Sequence, residues 1–244
     1  MISVHDGYHL WSERYDREMA DVFDIQDEIT SAIVKTIEPT LVGGTVPAVR
    51  RHTHNVKAFE LYLQGRHFWT LRTPQSMPAA LSCFERAIAL DEDYALAYAG
   101  IAETYTIMTL YGFVSPAEAR PKAEAAAARA LVLEPDLAEA HMAMGVYKIW
   151  LSNAWPDAGR DLGQALAIRP DSSLIQSYYA FHLSVVGRYE EALMQSAKAA
   201  TLDPLAPFAR SAGSVVSYLA GRFEEAIALA DQALELHRDF TMGL

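Results

Sequence analysis

Two segments of the chain are nearly identical: Gly187–Leu193 reads GRYEEAL, and Gly221–Ile227 reads GRFEEAI. They begin 34 residues apart, at positions 187 and 221. Alanines on either side follow the same interval: Ala158, Ala192 and Ala226, and likewise Ala165, Ala199 and Ala233. A period of this length, with small residues at fixed places, is typical of stacked pairs of helices.

Each unit of the repeat predicts two helices joined by a short turn. In one unit, the first helix covers Ser172–Val186 and ends at Gly187, since glycine accepts the positive φ that often stops a helix. The second helix covers Tyr189–Leu202 and ends before Pro204, because proline cannot continue a helix. Tyr189 and the equivalent Phe223 are expected to pack between helices.

The pattern resembles the tetratricopeptide repeat (TPR) family, in which a glycine and an aromatic residue precede spaced alanines and a closing proline. The fourth unit carries the resemblance at Tyr179, Ala180, Gly187, Tyr189, Ala192, Ala199 and Pro204, and the fifth at Gly213, Gly221, Phe223, Ala226 and Ala233. The resemblance implies an all-α superhelical solenoid of about five helix pairs. The repeats would occupy about 55–93, 94–136, 137–171, 172–205 and 206–239. The solenoid domain would then be 55–244.

Two units depart from the regular length. In the second unit the closing helix arrives late, because LYGFVSPAEARP (Leu110–Pro121) lies between the two helices. In the first unit a few extra residues are expected around Arg72–Pro78. The sequence therefore predicts insertions at these two turns.

The amino-terminal residues do not repeat. GYHLWSERYD (Gly7–Asp16) predicts a short strand, Arg17–Pro39 a helix, and residues 42–54 a linker. Together, Gly7, Leu10–Arg17, Phe23 and Gln26–Ile29 are similar to a junction in bacterial class III adenylate cyclases and winged-helix transcription regulators. There, a TolB-like α/β domain precedes TPR units, so residues 1–41 are interpreted as a remnant of such a domain. Neither a cyclase domain nor a winged helix is recognisable in the chain.

Composition excludes several classes of function. The formal net charge of −11 opposes binding to nucleic acid or to an anionic membrane surface. No apolar stretch approaches the roughly 18 residues of a membrane span, and no signal peptide is recognisable. The single cysteine, Cys83, excludes an intrachain disulfide. A cytoplasmic location is therefore expected.

No set of residues predicts catalysis. The His52 and His54 pair lacks acidic or cysteine partners at metal-ligand spacing, and Cys83 is expected to be a small buried residue. The adjacent Glu190 and Glu191 lie in the first turn of a helix, where they favour the helix dipole and face solvent. The sequence predicts no enzyme activity, no metal and no cofactor.

The first helices of a TPR solenoid line its concave face, so the resemblance implies a groove that binds a peptide or a partner domain. By the family's register the groove residues are Tyr62, Arg66, Trp69, Glu103, Thr106, Met142, Ser177, Phe181, Ser211 and Tyr218. Tyrosine, tryptophan and arginine are common at the centres of protein interfaces. For each residue, packing against the next unit remains an equal alternative. Only Arg66 among the inward positions is basic, which disfavours recognition of a terminal carboxylate.

Two functions remain open from the sequence. One is a non-catalytic interaction scaffold, and the other is a regulatory segment of a longer signalling enzyme or transcription regulator. Self-association as a twofold dimer is also expected, with Tyr8–Ile37 and Phe240–Leu244 as contacts, because both ends of the solenoid would expose unpaired surface.

Overall fold

The computed structural model describes residues 51–236, and every regular element in this range is helical. The chain divides into two compact units, Met1–Val56 and Lys57–Leu244, and the solenoid belongs to the second. Its ten helices are α1 Val56–Leu71, α2 Ser76–Leu90, α3 Ala95–Leu110, α4 Pro116–Leu133, α5 Ala138–Tyr147, α6 Trp155–Ile168, α7 Ser173–Val185, α8 Tyr189–Leu202, α9 Pro207–Leu219 and α10 Phe223–Leu236. The strand, helix and linker predicted before residue 51 and the dimer contacts predicted at Tyr8–Ile37 and Phe240–Leu244 lie outside the described residues.

Consecutive helices pack as pairs, and the first helices of neighbouring pairs also pack on one another. Thus α3 contacts α5, and α7 contacts α9, which forms an inner layer of first helices. The second helices lie outside this layer. The five pairs confirm the all-helical solenoid predicted from the repeat.

Glycines let the helices of the first two pairs approach one another closely. Phe84 of α2 is fully buried between Gly65 of α1 and Gly100 of α3. A Cβ atom added at Gly65 would lie 2.5 Å from the Phe84 ring, and one added at Gly100 would lie 2.8 Å from it. Because these two glycines have no side chain, the three helices can pack closely around the Phe84 ring.

The repeated segments form the turns that the sequence predicts. Gly187 and Gly221 have φ values of 81° and 77°, and the second helices begin two residues later. Tyr189 and Phe223 do not pack between helices as expected, because both side chains are exposed. Each of the two residues is the first residue of its helix.

The insertion in the second unit lengthens helices as well as the loop. The connection between α3 and α4 covers only residues 111–115, and Ser115 caps α4 by accepting a hydrogen bond from the Glu118 amide. Pro116 then occupies the first helical position, where its missing N–H costs nothing. The added turns of α4 place Ala119 and Ala123 against the third unit.

A π-helical segment, Lys148–Ser152, follows α5 and was not expected from the sequence. Its Lys148 Nζ lies 2.6 Å from Asp161 Oδ2 of α6, and Leu151 packs against Ala119 and Ala123 of α4. Asn153 ends the segment in the left-handed region, with φ 55°. In the sequence, this left-handed residue could have been recognised from the asparagine that stands where other units carry glycine.

Candidate functional site: the interior of the solenoid

The ten predicted groove residues all lie on first helices, but the structure divides them by accessibility. Tyr62, Arg66 and Phe181 are partly buried, and Tyr218 is 61% exposed. The six that are buried are Trp69, Glu103, Thr106, Met142, Ser177 and Ser211. Most of the predicted groove is therefore the packed inner wall of the solenoid.

An ion pair joins the first two helix pairs inside this wall. Arg66 Nη1 lies 3.0 Å from Glu103 Oε2, and the Glu103 side chain is 1% exposed. Burial raises the pKa of Glu103, and Arg66 opposes that rise. Burial lowers the pKa of Arg66, but Glu103, together with Tyr62 and Tyr178, outweighs this effect and the net shift is upward.

The same region contains tilted aromatic rings and a guanidinium that lies over a ring. The Arg66 guanidinium carbon lies 4.5 Å from the centre of the Trp69 ring. The Tyr62 ring is centred 5.4 Å from Tyr94 and 5.8 Å from Phe84, and burial raises the pKa of Tyr62 to about 12. These contacts hold α1 against the following two helices.

The hydroxyl groups of two polar groove residues farther along the wall form hydrogen bonds within their own helices. The Thr106 hydroxyl donates to the Ala102 carbonyl oxygen at 2.9 Å, and the Ser177 hydroxyl donates to the Ser173 carbonyl oxygen at 2.8 Å. Such bonds let a hydroxyl be buried without a partner from another helix.

A second aromatic cluster occupies the middle of the solenoid, and only Phe181 of its members was predicted. Trp150 of the π-helical segment stacks on Phe181 of α7, with ring centres 4.9 Å apart. Tyr178 contacts both Trp150 and Phe208 of α9, with ring centres 5.8 Å and 5.1 Å away.

Arg72 connects the two clusters. It follows α1 directly, is 2% exposed, and has a φ of 49°, which is uncommon for a residue with a side chain. Its guanidinium carbon lies 4.6 Å from the ring centres of both Trp69 and Phe208. The first helix pair thus reaches the fifth across the interior, and no local sequence pattern indicates such a contact.

A cavity of about 220 Å³ lies beside this contact. Its walls come from all five helix pairs and are mainly aromatic and aliphatic. They comprise Arg72, Ile107, Leu110, Trp150, Ser177, Tyr178, Phe181, Phe208, Ala212 and Val215.

Among residues 51–236, no group of three or more histidine, cysteine, aspartate or glutamate side chains is arranged to hold a metal ion. Cys83 is buried, and burial raises the pKa of its thiol, which disfavours the reactive thiolate. Within the same described range, no helix is long and apolar enough to span a membrane.

Comparison with curated proteins finds regulators and a cyclase. The chain is 25% identical over 233 residues to the transcriptional regulator HilA of Salmonella paratyphi A. The aligned region covers 95% of the chain and 41% of HilA. It is 30% identical over 118 residues to putative adenylate cyclase 3 of Rhizobium meliloti, covering 47% of the chain and 19% of the cyclase. The chain thus spans about two fifths of the length of HilA. No protein-family model matches it.

Solved structures share the architecture. TTC0263, a thermophilic TPR protein of Thermus thermophilus, superimposes with a TM-score of 0.60 at 19% identity, covering 74% of this chain and 92% of its own. PilW, a type IV pilus biogenesis factor, gives a TM-score of 0.55 at 18% identity, covering 75% of this chain and 79% of its own. The described chain therefore has the TPR fold that the repeat predicted.

Proposed function

We propose that the chain is a non-catalytic interaction scaffold whose solenoid binds a peptide or a partner domain. The observation that supports this is the division of the predicted groove residues. The buried ones hold the inner wall together, whereas Tyr62, Arg66, Phe181 and Tyr218 keep accessible surface. Tyrosine and arginine are enriched among the residues that dominate interface energies.

Tyr218 offers the largest accessible surface of the four. Its ring centre lies 5.7 Å from that of Phe223, which is also exposed. Both line an open groove between α9 and α10, together with Val215 and Ile227. A partner side chain placed there would bury apolar surface without displacing any helix.

Crosslinking followed by mass spectrometry tests this proposal. The purified chain is used as bait in a native lysate, and the Tyr218→Ser variant is compared with Tyr189→Ser. Tyr189 is a matched control, because it is also an exposed tyrosine but lies at the start of the second helix α8. We expect Tyr218→Ser to lose partners that the wild type and Tyr189→Ser retain. Equal capture by all three would contradict a role for this end of the groove.

A second candidate function is supported by the comparisons: the chain is a regulatory segment of a longer signalling enzyme or transcription regulator. HilA and the putative adenylate cyclase both match it, and each is longer than the matched part. With a formal charge of −11, the chain itself is a poor surface for nucleic acid. Sequencing the longest transcript of the locus tests this, and a reading frame with neither a DNA-binding nor a cyclase domain would contradict it.

We also propose that the chain self-associates. On α10, Ile227 is 64% exposed and lines the same open groove as Tyr218. A second copy of the chain would bury this face. Sedimentation equilibrium at micromolar concentration tests the idea. We expect a dimer that Ile227→Glu weakens, and a strictly monomeric wild type would contradict it.

A further inference from the structure

The cavity in the solenoid interior adjoins the open groove of the last helix pair. The cavity is open on one side, and its wall includes the side chains of Leu110, Phe181 and Val215, which keep accessible surface. Val215 of α9 also lines the groove that contains Tyr218 and Phe223. One side chain thus borders two apolar recesses, which are neighbours on the accessible surface of α9.

The volume of the cavity limits its occupant to one ring or one side chain. An apolar cavity of about 150 Å³ accepts benzene, whereas sites for drug-sized ligands occupy about 300–1,000 Å³. The cavity here has a volume of about 220 Å³. It therefore accommodates a single aromatic ring, but not a peptide backbone together with its side chains.

The polar groups in the wall of the cavity are already engaged within the protein. The Ser177 hydroxyl donates a hydrogen bond to the Ser173 carbonyl oxygen of its own helix. The Arg72 guanidinium lies between two aromatic rings and interacts with the buried Tyr178 hydroxyl. A polar group that entered the cavity would therefore lose its hydrogen bonds to water and gain none in return.

These features fit a side chain of a larger partner better than a free small molecule with polar groups. A side chain carries only its apolar end into the cavity, while the N–H and C=O groups of its backbone stay outside in water. Anchor residues of protein interfaces commonly fill desolvated pockets in this way. The neighbouring groove at Tyr218 offers apolar surface to the adjoining residues of such a partner.

The wall of the cavity favours an aromatic anchor. Trp150, Phe181 and Phe208 contribute rings to it, and contacts between rings add to the gain from burying apolar area. Tyrosine would carry its hydroxyl into the apolar interior, and tryptophan its N–H group. Phenylalanine has a ring of the right size and no polar atom.

The chain leaves this space unfilled at a small residue. Ala212 of α9 lines the cavity and is buried, so a leucine in its place would occupy part of the void. Protein interiors contain few voids larger than a water molecule, because the atoms around a void lose contacts. Packing that is given up at one place in a fold is typical of a site that serves function.

We propose that the cavity is a socket for one phenylalanine side chain of a partner peptide that lies along the groove at Tyr218. The ring inserts among Trp150, Phe181 and Phe208, and the backbone of the peptide stays at the mouth. This proposal rests on the scaffold function and names the residue type that the scaffold recognises.

NMR titration of the whole chain with N-acetylphenylalanine N-methylamide tests the socket, because this compound joins one apolar ring to a capped backbone. We expect a Kd of roughly 0.2–3 mM, the range for a ligand with few buried atoms. The matching alanine derivative has the same backbone and should not bind at these concentrations. The tyrosine derivative should bind at least about tenfold more weakly, because its hydroxyl would be buried without a partner. No binding at about 20 mM, or equal affinities of the phenylalanine and tyrosine derivatives, would overturn the proposal.

Nuclear Overhauser contacts locate the bound ring in the wild-type chain. We expect contacts from the ring protons to the methyl groups of Ile107, Leu110 and Val215, which line the cavity. Contacts to Ile227 alone would place the ring in the groove at Tyr218 and would overturn the socket.

Ala212→Leu fills the cavity from a position that does not line the groove at Tyr218. The thermal midpoint of the ligand-free protein should stay the same or rise, while the affinity for the phenylalanine derivative should fall at least about tenfold. Ala228→Leu, on the exposed side of α10, is the control and should bind as the wild type does. Unchanged affinity in Ala212→Leu would overturn the socket, and the wild-type contacts decide the outcome if this variant has a lower midpoint.

The socket can fail separately from the scaffold function, because Tyr218 does not line the cavity. If the phenylalanine derivative does not bind but Tyr218→Ser still loses partners from the lysate, the socket is wrong and the scaffold proposal stands. If the derivative binds in the cavity and Ala212→Leu loses the same partners as Tyr218→Ser, both proposals are supported.

Discussion

The first two helix pairs and the last pair follow the same repeat plan but differ in what surrounds them. Phe84 in α2 is fully buried, with glycines of α1 and α3 on either side. Phe223 at the start of α10 is 54% exposed, and Ala226 and Ala233 are the buried residues of that helix. The two rings also occupy different positions in the repeat, because Phe84 lies inside α2, whereas Phe223, like the exposed Tyr189 of α8, is the first residue of its helix. Burial therefore depends on the position within the repeat as well as on the pair.

The largest effect expected from this difference concerns the two phenylalanines. Phe84→Ala should lower the free energy of unfolding by about 3–5 kcal/mol, because it removes a ring from a close-packed site. Phe223→Ala should cost less than about 1 kcal/mol, because the ring already contacts solvent. Urea unfolding followed by circular dichroism measures both. Similar losses in the two variants would show that the Phe223 ring is packed as well as the Phe84 ring.

Two ion pairs, one buried and one at the surface, should differ in stability in the same way as the two phenylalanines. Glu103→Gln should destabilise the protein by about 3 kcal/mol, since it leaves the Arg66 guanidinium without its buried carboxylate. Glu191→Gln breaks a 2.6 Å ion pair with Arg188 at the surface and should cost far less, because solvent screens the attraction between exposed charges.

The double variant Arg66→Met with Glu103→Leu is the control for the buried pair. Replacing both charges with apolar side chains removes the desolvation cost together with the attraction, so much of the stability lost in Glu103→Gln should return. A double variant less stable than Glu103→Gln would show that the ion pair itself holds α1 to α3.

Glycine substitutions test the close approach of the helices. Gly65→Ala places a methyl group 2.5 Å from the Phe84 ring and should cost about 1–3 kcal/mol. Gly163→Ala lies in helix α6 with nothing within 4 Å of the added carbon, so it should stabilise the protein by up to about 1 kcal/mol. Thermal melts of the two variants should shift in opposite directions, and a shift of the same sign would contradict the packing described for Gly65.

The parts of this structure that the sequence predicted are those set by local chemistry. Gly187 and Gly221 mark turns because a residue without a side chain adopts their left-handed backbone at the lowest cost. Helix α8 begins and ends where the sequence predicts, at Tyr189 and Leu202. The residue order within one unit is sufficient to predict these turns and helix ends.

The interior could not be predicted in the same way. Arg72 contacts Phe208 across a separation of four repeats, and neither residue belongs to a recognisable motif. Trp150 enters the interior because a π-helical segment replaces the end of a regular helix. Such contacts depend on the curvature accumulated over several units, which no single repeat encodes.

The smallest expected effect is a pH dependence from His182 in the well-packed part of α7. Its ring is 5% exposed, and a Cβ at Gly159 of α6 would lie 2.5 Å from Nε2, so the imidazole fills the space that the glycine leaves. Burial, with a smaller contribution from Arg188, lowers the pKa of His182 below its usual value. The unfolded chain therefore takes up this proton at a higher pH than the folded chain does.

Stability from His182 is consequently complete above the unfolded pKa of about 6.5 and is lost as the pH falls from there toward the lower folded pKa. Urea midpoints at pH 8 and pH 5.5 should differ more for the wild type than for His182→Gln, which cannot titrate. Other titrating groups are common to both proteins, so the difference isolates His182. His67→Gln, at an exposed position on α1, should behave as the wild type does. If His182→Gln loses as much stability as the wild type between the two pH values, the imidazole is protonated equally in the folded and unfolded chains, and its burial against Gly159 carries no energetic cost.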